Sequence, residues 1–301
     1  MTFIINIKYK INMFNKNLEN LLIISNTKNY KIPYGDYLRI LAFAPNLGFD
    51  NIYHLCDQKL SLLSKEHIFI KTLSYRNKKK IRKLLKNSFI IDLEKKGKNT
   101  NNIFYFQSVI NKKKTYKKNM VDILSSLSKY FGIKNYKLFT TKLKPVKFKQ
   151  EIFISWKAPK DWKIKEYPLK KFKDLSNKFK KDLNIKIKFQ RKNESMKTYI
   201  KNIKESKIII SIVNLGCHIA NLYDKKLIML SGPNYHEDSK LNKSQITIFP
   251  KKFCRLHFNS FKNIKYKNRV ANLKKDTNEC YCMKNIDEKE IFYKTNLLLN
   301  E

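Results

Sequence analysis

Glycine is scarce in this chain, six residues in 301, which leaves little material for the glycine-rich loops that usually cradle phosphate. Cysteine is scarcer still. Cys56, Cys217, Cys254, Cys280 and Cys282 are an odd number, thinly spread, and exclude the disulfide framework of a small secreted domain. Only six of the 65 basic residues are arginine (Arg39, Arg76, Arg82, Arg191, Arg255 and Arg269), so 65 minus 6 leaves 59 lysines. Arginine forks onto phosphates and reads base edges. Its shortage, and the lack of a helix-turn-helix, zinc-finger or RNA-binding aromatic motif, argue against nucleic acid as a partner. No apolar run reaches the roughly 18 residues that a membrane-spanning helix needs. Residues 1–10 alternate apolar and basic without a small-residue cleavage site, unlike a signal peptide. Met13 is a second candidate start, because the first ordered element is expected near Asn20.

What is present bounds the class. Hydrophobic residues make up 42% of the chain, enough to build sizeable cores, and the length suits one large or two medium domains. The formal net charge is +41. Its lysines run the whole length beside abundant Asn and Ile, as codon bias in an AT-rich genome would produce. The charge still favours anionic membranes, phosphorylated glycans and nucleotides.

Short β-branched runs alternate with helical spacing. Strands are expected at 21–25 (LLIIS), 51–56 (NIYHLC), 67–73 (HIFIKTL) and 89–93 (FIIDL). Helices are expected at 36–47, at 76–87 and at 117–130, the last ended by Gly132. Residues 136–150 show no clear period and read as a linker. The alternation then resumes. Strands are expected at 151–156, 185–189, 207–213 and 226–231. Helices are expected at 168–183, at 195–205 with Ser195 as N-cap, in a short piece after Gly216, and at 287–299 with an Asp287 and Glu290 capping-box pattern. This βα rhythm implies an α/β fold with two mostly parallel sheets, in domains 1–145 and 146–301. Open parallel sheets bind ligands beyond their strand carboxyl ends, and two of them are expected to face a central cleft.

Residues 197–234 (KTYIKNIKESKIIISIVNLGCHIANLYDKKLIMLSGPN) are the most specific stretch. A strand runs into a tight turn with Asn214 and Gly216, and His218 follows on a short helix. A second strand then ends in Ser231-Gly232-Pro233. A turn of this kind presents backbone N–H groups at a helix N-terminus, an anion site suited to a diphosphate.

This stretch resembles glycosyltransferase family 9, which contains the lipopolysaccharide heptosyltransferases. The family shows a strand ending Ser-x-(Asp/Asn)-Thr-Gly, a His-Leu-Ala helix, and a strand ending Phe-Gly-Pro. The chain departs at the turn, with Val213-Asn214-Leu215-Gly216-Cys217-His218, one residue shorter and with Leu in place of Thr. Residues 154–175 resemble the family's Lys-x-Trp-Pro segment, with Lys165 on the Lys and Tyr167 for the Trp. Gly35-Asp36 resembles its Gly-Asp pair, and Cys280-x-Cys282-Met283 a frequent C-terminal ending. Where the family often carries a Gly-Gly…Glu loop, this chain has Gln190-Arg191-Lys192-Asn193-Glu194.

The resemblance implies a GT-B fold of two Rossmann-like domains and transfer of a sugar, heptose or related, from a nucleoside-diphosphate donor. The acceptor is a lipopolysaccharide or other anionic surface glycan. Asp36 would be the general base of an inverting displacement. Lys165, with Lys163 as substitute, would neutralise the leaving diphosphate. Asn214, Gly216, His218 and Gly232 would line the donor site. No cofactor or metal is expected, the nucleotide-sugar being a co-substrate. The location implied is bacterial and cytoplasmic, with peripheral contact at the inner membrane. Other readings stay open. Asp36 serves equally as a helix N-terminal acid, His218 as a core histidine, and the whole chain as an inactive relative that binds or scaffolds. A basic nucleic-acid-binding protein is the remotest of these. Cys254-x₂-His257 with Cys280-x-Cys282 is tight for zinc, and buried thiols are the expected alternative. The clusters Lys78-Lys79-Lys80 and Lys112-Lys113-Lys114, near Tyr75, Tyr116 and Phe104, read either as a solvated face or as a surface for anionic lipid or a phosphorylated acceptor.

Overall fold

The computed structural model describes residues 18–25, 34–95, 97–106, 120–141, 147–158, 160–232, 245–252 and 281–301. The chain divides into two compact units, Met1–Thr141 and Lys142–Glu301.

The first unit is a five-stranded sheet of β1 (Asn20–Ile24), β2 (Asn51–Cys56), β3 (Ile70–Ser74), β4 (Ser88–Asp92) and β5 (Ile103–Tyr105). All pairings are parallel, in the order β3-β2-β1-β4-β5. That is the strand order of a Rossmann half, with its topological switch at β1/β4. Central β1 is apolar on both faces because both are covered. Leu21 and Ile23 enter the larger core with Phe89, Ile91 and Phe104. Leu22 enters a smaller one with Leu55, Leu73, Leu84 and Ile90. The helices are α1 (Tyr34–Phe43), α2 (Gln58–Ser64), α3 (Lys78–Asn87) and α4 (Met120–Tyr130). Gly132, at φ 71°, follows α4 in the left-handed region that glycine adopts without strain.

Three expectations need correction here. The strand expected at 67–73 begins at Ile70, because His67 turns inward and is buried while its backbone closes a loop. Phe104 is fully buried in the core and belongs to no basic surface. Lys78, Lys79 and Lys80 are exposed on α3, whereas residues 112–114 and Tyr116 lie outside the described residues. The stretch up to Thr141, read as linker, packs on the first unit. Phe139 N–H donates to the Ala42 carbonyl (2.9 Å), Asn46 pairs with the Lys137 backbone, and the Thr141 hydroxyl donates to the Glu66 carbonyl (2.9 Å).

The second unit holds β6 (Gln150–Ser155), β7 (Ile187–Phe189), β8 (Ser206–Ile212), β9 (Lys226–Leu230) and β10 (Gln245–Ile248), again all parallel. The order is β10-β9-β8-β6-β7. Counted within the unit this is 2-1-3-4-5, the other doubly wound order, with its switch between β6 and β8. Its helices are α5 (Leu169–Leu183), α6 (Met196–Lys204), α7 (Leu215–Leu222) and α8 (Glu288–Asn300). On α5, Phe172, Leu175 and Phe179 recur at helical spacing and are buried, and Phe179 stacks on Phe292 of α8 at 4.9 Å. Pro168 sits at the N-cap of α5, one residue earlier than its expected first-turn place.

The expected N-caps form, although among the described residues Glu290 makes no return bond and the capping box at Asp287 is not completed. Asp287 accepts from Lys289 N–H at α8, and Ser195 accepts from Thr198 N–H (3.2 Å) at α6. Replacing Ser195 by Ala leaves that N–H unpaired and is expected to cost about 1 kcal/mol. Urea denaturation followed by tryptophan emission measures it, since Trp156 and Trp162 are the chain's two tryptophans and both lie in this unit.

Candidate functional site

The carboxyl ends of β6 and β8 are where the second sheet opens, and Asn214 joins them. It is the N-cap of α7, and its side-chain oxygen accepts from Gly216 N–H (2.7 Å) and from the hydroxyls of Ser211 (2.9 Å) and Ser155 (3.2 Å). Its amide donates to Ser155 Oγ (2.9 Å) and to the Lys157 carbonyl (3.1 Å). Ser155 Oγ also meets Tyr199 Oη at 2.5 Å. The Asn214 side chain therefore clasps the end of β6 to the start of α7, with its polar atoms engaged by the protein. The Gly216 N–H is likewise taken, by the Asn214 side chain.

Gly216 is required by this approach. A Cβ on it would press into Tyr199 Oη and lie 2.6 Å from Ser155 Oγ and 2.9 Å from Ser155 Cβ. Gly232 has the same character at the end of β9. A Cβ there would meet Met283 Sδ at 2.5 Å and Cys282 Cβ at 3.3 Å. The Gly232 turn and the Cys282-Met283 segment, far apart in sequence, are thus packed on each other.

Beside the clasp lies a groove of about 240 Å³. Asn214 and Leu215 form one side, Lys157 and Ala158 another, and Gln190, Glu194, Met196 and Tyr199 the rest. The loop after β6 is strapped to the loop after β7. Trp156 Nε1 donates to the Gln190 carbonyl (2.8 Å), Lys157 N–H to Gln190 Oε1 (3.2 Å) and Lys157 Nζ to the Lys192 carbonyl (2.7 Å). Glu194 Oε1 accepts from Asn202 (2.5 Å), whose own oxygen accepts from Lys188 Nζ (2.7 Å). Glu194 Oε2 is buried with no hydrogen-bond partner among the described residues. Burial raises the Glu194 carboxyl above its usual range, against the pull of Lys188, of Arg191 and of the Asn202 hydrogen bond. The groove therefore combines an apolar floor, an ammonium, an amide and a carboxylate with an acceptor to spare.

Of the residues expected from sequence, Asn214 lines the groove, and Gly216 packs behind it. His218 is half-buried in the next turn of α7. Lys165 ends a 3-10 turn, Lys160–Lys165, and is half-buried, with Lys163 exposed. Lys165, His218 and Gly232 are outside the groove's lining. Tyr167, in the place of the family's Trp, is a core residue edge-on to Phe172 at 4.7 Å. Asp36 is the third residue of α1, and its side chain lies outside the described set. Its neighbour Tyr37 is fully buried and bonds His54 and Ser25. Lys157, Gln190, Glu194 and Tyr199 were not expected. They converge through a strand order that a sequence does not display, although the position of Glu194 opposite the family's Gly-Gly…Glu loop is a signal. Cys56, Cys217 and Cys282 are buried thiols that form no disulfide. Cys254, His257 and Cys280 lie outside the described residues, and among those described no group of three His, Cys, Asp or Glu side chains could hold a metal. No helix among them is long and apolar enough to cross a membrane.

No family model matches the chain, and no curated protein matches its sequence. Solved structures match its fold. A glycosyl transferase of family 9 from Veillonella parvula aligns with a TM-score of 0.58 at 11% identity, over 94% of this chain and 97% of its own. The ADP-heptose lps heptosyltransferase II of E. coli aligns at 0.63 and 10%, over 93% and 98%. E. coli heptosyltransferase WaaC, solved with ADP-2-deoxy-2-fluoro heptose, aligns at 0.51 and 12%, over 85% and 99%. The chain thus has the fold of the family that its motifs resemble, two Rossmann-like α/β units of the GT-B type.

Proposed function

We propose that the chain is a glycosyltransferase whose second unit holds a nucleoside-diphosphate sugar at the β6/β8 switch point. The single observation that carries this is the groove itself. It opens at the carboxyl ends of the two strands where doubly wound sheets take their ligands, in a fold whose solved examples include one bound to an ADP-sugar analogue. Glu194, with an unengaged carboxylate oxygen, suits a nucleoside or sugar hydroxyl. Lys157, together with the cationic surroundings, suits the diphosphate. On this reading the sugar, a heptose or a related one, passes to an anionic glycan or glycolipid. Asp36 takes the acceptor proton as the anomeric carbon is attacked from the face opposite the leaving diphosphate, which inverts its configuration. Lys165 is assigned to the leaving group by resemblance to the family.

Two measurements test this. Titration with ADP, GDP and UDP is expected to raise the melting temperature with at least one of them. With the nucleotide-sugar so identified, donor hydrolysis or transfer by Asp36→Ala is expected to fall at least about 100-fold, the lower end for losing a general base. Absence of any nucleotide effect leaves the inactive, scaffolding relative as the reading. Binding with an unaffected Asp36→Ala rate removes Asp36 from the chemistry.

A further inference from the structure

The loop between α2 and β3 reverses the usual order of inside and outside. His67 is 2% exposed, while its apolar neighbours Ile68 and Phe69 are 65% and 40% exposed. A loop selected by water alone keeps its polar residue outside and its large apolar ones in. The inversion is held rigidly. Lys65 N–H donates to the Ser61 carbonyl, Glu66 N–H to Leu63, His67 N–H to Ser64, and Ile70 N–H to His67, at 3.0 to 3.2 Å. The Thr141 hydroxyl closes the loop on the Glu66 carbonyl. Phe69 lies edge-on to Phe139 at 5.4 Å, and Lys137 Nζ sits 4.7 Å over the Phe139 ring. Lys65 on the same loop and Lys71 just beyond it are exposed, as are Lys134 and Lys137 on the segment behind Phe139. Glu66 is the one acid on the loop.

We propose that this loop, with Phe139 and its flanking lysines, docks the first unit on an anionic lipid bilayer. Ile68 and Phe69 enter the interfacial region, and the lysines meet the headgroups. The occupant follows from the chemistry. Two adjacent apolar side chains presented by a stiff loop fit the acyl boundary. A surround of ammonium groups in a chain of net charge +41 is attracted by an anionic surface and repelled by a second copy of the same chain. The inference rests on the proposed glycolipid acceptor for its purpose, since docking brings the enzyme to a substrate confined to a membrane.

The test is flotation of the full chain with phosphatidylcholine vesicles, with and without phosphatidylglycerol. Binding is expected only with phosphatidylglycerol and is expected to weaken with salt. Replacing Ile68 and Phe69 together by Ser is expected to lower the partition coefficient about tenfold or more. Lys65→Glu with Lys137→Glu is expected to lower it similarly. The melting temperature of the Ile68→Ser, Phe69→Ser protein is expected to fall by a few degrees at most and to leave the protein folded at the assay temperature, because Ile68 is largely exposed and Phe69 gives up one ring contact, with Phe139. A parent that ignores anionic vesicles, or variants that bind like the parent, overturn the proposal. So does a parent dimer in sedimentation velocity that the Ser pair disperses, since the occupant is then a second copy. Vesicle binding by a protein that binds no nucleotide leaves this inference standing and sinks the transferase reading instead.

Discussion

Acidification below pH 6.5 is expected to unfold the amino-terminal unit first. His54 and His67 are both buried there, at 0% and 2% exposure. Burial pushes both imidazoles down to about 3, with their mutual repulsion adding to it for His54 and Asp57 opposing it. His54 is held as a neutral ring by Ser25 Oγ at its Nε2 (2.7 Å) and by the Tyr37 hydroxyl. His67 Nε2 is buried without a hydrogen-bond partner among the described residues. Both folded values lie below the unfolded one of about 6.5. The unfolded chain therefore takes up protons that the folded chain refuses, and stability is complete above about pH 6.5 and falls as the pH drops toward 3. Each histidine contributes a slope of about 1.4 kcal/mol per pH unit. Two of them remove roughly 5 kcal/mol between pH 6.5 and 4.5, comparable with the whole stability of a modest domain. Trp156 and Trp162 both report on the other unit. Far-UV circular dichroism is thus expected to lose amplitude between pH 6 and 4 while tryptophan emission holds. His67→Leu, which removes one titrating ring and one unpaired buried nitrogen, is expected to halve the slope in urea midpoints measured across that range. Simultaneous loss of both signals, or an unchanged slope in His67→Leu, would show that these rings do not govern the transition.

The same two rings mark where sequence reasoning stops. A histidine in Asn-Ile-Tyr-His-Leu-Cys reads as a strand residue, and it is one. That it sits at zero exposure between Ser25 and Tyr37 depends on the pairing of β1 with β2, where Ile23 is opposite His54. The strands with long apolar runs were legible because burial on both faces forces such runs. β2 falls where expected to the residue, and β1, β4, β6, β8 and β9 fall within one residue of expectation. The short strands β5 and β10 were not anticipated. Ile103–Tyr105 and Gln245–Ile248 are three and four residues long, so the apolar run of the first and the polar–apolar alternation of the second are too short to stand out from the surrounding sequence. At the site, the Asn214 turn was legible because Asn and Gly have few uses between a strand and a helix. The groove was not, because it joins residues 157–158, 190–199 and 214–215. Only the order β8-β6-β7 makes those segments neighbours.

Gly216→Ala is expected to be the most damaging single-methyl change in the second unit. The added Cβ would stand 2.6 Å from Ser155 Oγ and 2.9 Å from Ser155 Cβ, and closer still to Tyr199 Oη. Tyr199 is 5% exposed and Ser155 not at all, so neither side chain has space to swing into. Ser155 Cβ moves only if β6 moves, and β6 is paired on both sides, with β7 and β8. The alternative is for α7 to back away, which breaks the Asn214 hydrogen bonds to Gly216, Ser155 and Lys157. Overpacking of this kind costs about 1–3 kcal/mol, and each buried hydrogen bond lost adds roughly 1 kcal/mol. A loss of about 3 kcal/mol in urea denaturation followed by Trp156 emission is therefore expected. Trp156 is a sensitive reporter because its Nε1 bonds the Gln190 carbonyl at the groove's edge. Ser155→Gly in the same chain removes the Cβ and Oγ contacts, and is expected to return part of the loss although it also deletes a partner of Asn214. The rescue separates crowding from the intrinsic effect of alanine, which by itself favours a helix. Nucleotide binding follows the same logic, because the clasp forms one wall of the groove. Gly216→Ala is expected to weaken it even at temperatures where the variant remains folded, and the double variant to recover both properties together. A variant as stable as the parent, with the same nucleotide affinity, would mean that α7 and β6 approach less closely than these contacts require.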